Sequence, residues 1–157
     1  MDTRWSESYL NGVRSRWVMV NYYAERIKQL EDQLVTYGNS GIGERVQSSP
    51  RHDALEQRVL KFIENEEKII LRFYDLLEAA NAKQDEAMDR IGMLKEGHRK
   101  DFLIEYYVNR QSVKSIADLF EHSDEGSTRN LKLKALEYFE TMADLNGWKK
   151  IKENKEV

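Results

Sequence analysis

A seven-residue repeat of aliphatic side chains, Val13, Val20, Ile27 and Leu34, constrains this chain more than any other feature of its sequence. Residues at that spacing, with Trp17, Ala24 and Leu30 between them, share a face only in an α-helix, and the face needs a second helix to cover it. The pattern predicts a helix from about Thr3 to Tyr37, weakened at Gly12 by about 1 kcal/mol relative to alanine. Gly38 and the Gly, Ser and Pro residues after it end the helix and predict a loop over 38–52. A second series, Leu55, Val59, Phe62, Ile69, Phe73, Leu76 and Ala80, predicts a helix from Ala54 to near Leu94, capped by Asp53 and interrupted by Glu66. Two such seams joined by a loop of about 15 residues form an antiparallel hairpin. The expected fold is therefore all-α, with a long helical hairpin (antiparallel coiled coil) over 1–94.

The first helix is also aromatic, with Trp5, Tyr9, Trp17, Tyr22 and Tyr23. These rings either fill a helix-helix seam or present a docking surface, and self-association through them predicts a homo-oligomer, first of all a dimer.

Beyond Ala80 the character of the chain changes. Ile91, Met93 and Leu94 begin a new apolar set, and the boundary is expected between Ala80 and Gly97. The segment 98–108 carries Phe102, Leu103, Tyr106 and Tyr107 and ends at the polar corner Asn109-Arg110-Gln111. Val113, Ile116, Ala117 and Phe120 then recur at helical spacing, with Ala117 small where a second helix must cross. Ser123 or Asp124 is a natural N-cap for the last helix. In that helix Thr128, Leu131, Ala135, Tyr138 and Met142 share a face, which leaves Ser127, Arg129, Asn130, Lys132 and Lys134 elsewhere. A short helix, a polar corner and a longer basic helix make a helix-turn-helix over 95–145. Arg, Asn and Ser on such a helix can meet base edges in the major groove of double-stranded DNA while Lys pairs with phosphates. The candidate DNA-binding residues are Ser127, Arg129, Asn130, Lys132 and Lys134, with Lys114 on the preceding helix.

Net charge bears on how such binding would work. The chain carries -3 overall, with 13 basic and 16 acidic residues over 1–94 against 12 of each over 95–157. DNA affinity must then come from a local patch and be salt-sensitive. The basic tail 146–157, with Trp148, Lys149, Lys150 and Lys152, is a further candidate for backbone contact. No apolar run approaches the roughly 18 residues of a membrane span, the N-terminus lacks a signal-peptide layout, and there are no cysteines, so a cytoplasmic protein without a membrane partner is expected.

Nothing points to catalysis. The glycines at 38–43 lack a Gly-Lys-Ser/Thr ending. Glu64, Glu66 and Glu67 read as a solvated helix face, and His52, His98 and His122 are scattered. No enzyme activity, cofactor or metal is expected.

The pattern of a leucine-bearing helix, Tyr106-Tyr107-Val108, a polar turn, Ser112-x-x-x-Ile116-Ala117-x-x-Phe120 and a Ser-led basic helix ending in Ala135-Leu136 resembles region 4 of the sigma-70 family. The glycine usual in that family's turn is absent, its place taken near Glu121-His122. With Val13-Arg-Ser-Arg-Trp17 and Tyr22-Tyr-Ala-Glu-Arg-Ile-Lys-Gln-Leu30 upstream, and a loop ending Ser48-Ser-Pro50, the chain resembles the ArpU/RinA-like regulators encoded in phages and prophages. The resemblance implies promoter binding at phage late or lysis genes, with host RNA polymerase as a second partner. Two alternatives stay open: a phage small-terminase-like DNA-packaging recognition subunit, which would form a closed ring, and an adaptor that grips RNA polymerase without binding DNA.

Overall fold

In the computed structural model the backbone is described over residues 1–39, 50–122 and 124–150, and the side chains over 1–36, 54–122 and 124–150. Among the described residues there is no strand, and no helix is long and apolar enough to cross a membrane. Helix α1 spans Arg4–Asn39 and α2 spans Pro50–Gly92. Asp53, expected to cap α2, lies inside it. The helix begins three residues earlier at Pro50, where the missing proline N–H costs nothing because the first turn has no acceptor for it. The loop expected over 38–52 falls largely outside the described residues.

The chain divides into two compact units, 18–82 and a second made of 1–17 with 83–157. This differs from the expected division at 94, because the first turns of α1 and the last turns of α2 belong with the C-terminal helices.

In the unit 18–82, α1 turns Val20, Tyr23, Ile27, Leu30 and Leu34 inward, and Ala24, expected in the seam, is exposed. Inward positions on α1 alternate by 3 and 4 residues, except that a second step of 3 follows Val20 and brings Tyr23 in. That stammer shifts the apolar stripe just past the unit boundary. On α2 the inward residues are Val59, Ile63, Glu66, Ile70, Phe73, Leu77 and Ala80. The expected seam is thus corrected at four of its seven positions: Leu55, Phe62, Ile69 and Leu76 are exposed by 59%, 39%, 41% and 41%. Tyr23 packs on Phe73 with ring centroids 5.9 Å apart, and the Tyr74 hydroxyl donates to Glu31 at 2.6 Å. Glu66 stands within this apolar seam, and its buried Oε2 has no hydrogen-bond partner.

The other unit has one apolar core, built from Leu10 of α1, Ile91 and Leu94 of α2 and its end, and the three C-terminal helical pieces. Helix α3 spans His98–Leu103 and runs into a π-helical turn, Ile104–Val108, that supplies fully buried Tyr107. Helix α4 spans Val113–Leu119 and α5 spans Glu125–Asn146. Met93, expected to pack here, is 59% exposed. The inward face of α5 includes the expected Thr128 and Ala135, and also Leu136, Phe139 and Ala143. Trp5 and Tyr9 lie against Phe139 with centroids 6.1 and 6.0 Å away, so these two aromatics of α1 belong to the core of the C-terminal helices. At the start of α1 the buried Glu140 carboxylate accepts from the Ser6 backbone N–H at 2.9 Å and from the Ser6 hydroxyl. A carboxylate beside free N–H groups at a helix start is favourably placed. Inside the same unit Gln84, also buried, donates to the Val13 carbonyl at 2.9 Å and accepts from Arg16 at 2.8 Å.

Candidate functional site

The corner between α4 and α5 is fixed by local hydrogen bonds. Ser112 caps α4 by accepting from the Ser115 N–H at 3.1 Å. At its other end the His122 N–H donates to the Ala117 carbonyl at 2.9 Å and the Glu121 N–H to the Asp118 carbonyl at 3.3 Å. This pair of bonds is a Schellman motif, which needs a left-handed residue at its turn. Glu121 takes that conformation, with φ 56. Ala117, the small residue expected where a second helix crosses, is buried, 5% exposed.

Helix α5 starts at an N-cap made by Asp124, whose carboxylate accepts from the Ser127 N–H at 2.8 Å. That hydrogen bond holds the Asp124 carboxyl below its ordinary range. Ser123, the other N-cap candidate, lies outside the described residues. The His122 Nδ1 lies 2.7 Å from the hydroxyl of fully buried Thr128, tying the corner to the first turn of α5.

Six residues were expected to carry binding, and the structure sorts them into groups. Ser127, Asn130 and Lys134 are exposed, and their i, i+3, i+7 spacing sets them in one row along the outward side of α5. Arg129 lies on a different flank, 68% exposed at its side chain and 3.3 Å from Glu125. Lys132 departs from the expected solvated cation: it is half-buried, with Nζ 4.7 Å above the Tyr106 ring. Tyr106 also carries the Arg14 guanidinium at 4.0 Å and stacks on Phe102, so Lys132 is held in a structural cation-aromatic cluster. Lys114 is exposed in the first turn of α4.

Lys134 has cationic neighbours that the sequence pattern does not single out. It lines a surface groove with the cations Lys95 and Arg99, with His98, Leu131 and Tyr138, and with the acid Glu96, which pairs with Lys100. The Lys95 N–H donates to the Tyr138 hydroxyl at 3.0 Å, and Arg99 lies 5.8 Å from the Tyr138 ring centroid. The signal for this cluster is present as the run Lys95, His98, Arg99, Lys100 at the start of α3. The tail residues behave otherwise. Trp148 packs on Phe139 at 5.3 Å, and Lys149 pairs with Glu140 and, at 2.8 Å, with Asp144. Those bonds raise the Lys149 ammonium above its usual range, Asp144 contributing most. Lys149 is therefore engaged within the fold, and Lys152 lies outside the described residues.

Taken together, the exposed groups at this end include a serine hydroxyl, a carboxamide and lysine and arginine cations beside a groove, with the acids Glu96, Glu125 and Glu137 among them. The hydroxyl, carboxamide and cations donate hydrogen bonds to base edges and to phosphate oxygens. Comparison with protein-family models, with curated proteins and with solved structures returns no match, so what the site can do rests on its own residues.

Proposed function

We propose that this protein is a sequence-specific binder of double-stranded DNA that regulates transcription of phage or prophage genes. In this reading α4 and α5 act as a helix-turn-helix of the sigma-70 region 4 kind, and host RNA polymerase is a second partner at the promoter. The observation that carries the reading is the open row Ser127, Asn130 and Lys134 on α5, which leads from a fixed corner to the cations Lys95 and Arg99. Asn130 has the carboxamide that pairs bidentately with adenine N6 and N7, and Ser127 suits either base type. Lys134, Lys95 and Arg99 suit phosphates on one strand, and Lys114 phosphates beside α4. Arg129 becomes available when its exposed pair with Glu125 opens, at a cost of well under about 1 kcal/mol.

Selection of bound sequences from a random duplex pool tests this. The expected result is one enriched motif, with Asn130→Ala relaxing preference at a single base position by about 1–3 kcal/mol. A pool that emerges unenriched refutes it. Acidic Glu121 and Glu125, both exposed at the corner, favour the polymerase adaptor as second reading; polymerase capture combined with an unenriched pool selects it.

A further inference from the structure

The unit 18–82 has two long edges of opposite charge, and each is also apolar. Around α2 the residues at seven-residue spacing from Leu55 lie on one side of the seam, and those from Leu60 on the other. The Tyr74–Glu31 hydrogen bond fixes which side of α1 flanks the second edge. The first edge exposes Leu55, Ile69 and Leu76 beside Arg58 and Arg72 of α2 and Arg26 of α1, and its rows contain no acid. The second exposes Leu60 and Leu71, by 52% and 64%, beside Glu64, Glu67 and Glu78, with Lys28 of α1 its one cation among the described residues. Arg58 and Arg72 have no carboxylate partner among the described residues. Glu64 has only the exposed neighbour Lys68, 3.6 Å away on the helix's back.

We infer that a second copy of this chain docks on the first, the arginine-rich edge of one protomer lying along the glutamate-rich edge of the next. Complementarity identifies the occupant. Each edge offers leucines for burial and the charge that the other lacks, whereas a two-fold pairing of either edge with itself sets arginine against arginine or glutamate against glutamate. The contact is therefore heterologous, and each added copy leaves one edge of each kind open. It extends in an open row or closes in a ring, in place of the two-fold dimer that the aromatic content of α1 suggested. This inference is independent of DNA binding.

Sedimentation of the purified full-length chain, without DNA, tests it. The wild type is expected to show a mass that rises with concentration beyond that of a dimer, or a single ring species, and to shift toward monomer as salt screens the edges. Two variants separate the edges without adding charge: Ile69→Asn with Leu76→Asn spoils the first, and Leu60→Asn with Leu71→Asn spoils the second. All four positions are exposed, so helicity by circular dichroism should hold. Each variant alone is expected to sediment as a monomer, and an equimolar mixture as a one-to-one dimer, because one intact edge of each kind remains. A wild-type monomer at about 100 µM, roughly the working limit of a weak specific contact, overturns the inference. So does a two-fold dimer that survives either pair of substitutions, or a mixture that stays monomeric.

Discussion

Glu121 holds a left-handed backbone in the Schellman corner that ends α4, with φ 56 and its side chain in solvent. A β-carbon in that conformation costs about 1–2 kcal/mol, which glycine avoids at the expense of greater freedom when unfolded. Glu121→Gly is expected to raise unfolding free energy by about 1 kcal/mol in urea titration, and a loss of stability would show that the carboxylate does something the corner needs. The sequence locates this turn through its missing glycine, since the residue that replaces glycine occupies the place in the backbone where glycine is favoured. Tyr9 offers a second test at this scale. Burial pushes its phenol from 10.0 up to about 12, with the nearby Arg90 opposing. Because the folded value lies above the unfolded one, Tyr9 contributes stability fully below pH 10 and loses it as pH rises toward 12. Stability measured against pH should fall across that window, and Tyr9→Phe should flatten the fall; a Tyr9→Phe profile as steep as wild type contradicts the assignment.

Helix α2 shows how periodicity can identify an element and still misplace its phase. Leu55, Phe62, Ile69 and Leu76 form one heptad row and Ile63, Ile70 and Leu77 another, both apolar. Either row completes a 3-4 pattern with Val59, Phe73 and Ala80, and only the position of α1 decides between them. Glu66 interrupts the expected pattern, and in the correct phase it stands in the seam with an orphaned Oε2. A buried oxygen without a donor costs about 1–3 kcal/mol. Glu66→Leu is therefore expected to raise the melting temperature seen by circular dichroism; a lower one would mean that Glu66 is satisfied in solution. Helix α5 is legible in a different way. Its cap and, of its six buried residues, Thr128 and Ala135 can be read from spacing and side-chain chemistry, but Leu136, Glu140, Ala143 and Phe139, the platform for Trp5 and Tyr9, cannot. Periodicity describes one segment at a time, and this contact joins residues more than a hundred positions apart.

Across the molecule, charge is the organising quantity. A chain of net charge -3 holds its cations in patches: Lys95, Arg99 and Lys134 around one groove, and Arg26, Arg58 and Arg72 along one edge. Composition requires any DNA affinity to be local, but it does not say which cations stand together, because Lys95 and Lys134 meet only through the fold. Self-association would multiply such patches and strengthen weak single contacts through effective concentration. A closed ring would favour the packaging-subunit alternative, an open row or small oligomer the regulator. The most direct test of the central claim is the salt dependence of binding to the selected duplex, monitored by fluorescence anisotropy for wild type and Lys134→Ala. Affinity is predicted to fall steeply between about 50 and 200 mM salt, with the log-log slope smaller by about 1 in the variant as one phosphate contact is lost. Equal slopes and equal affinities for the two proteins would contradict it.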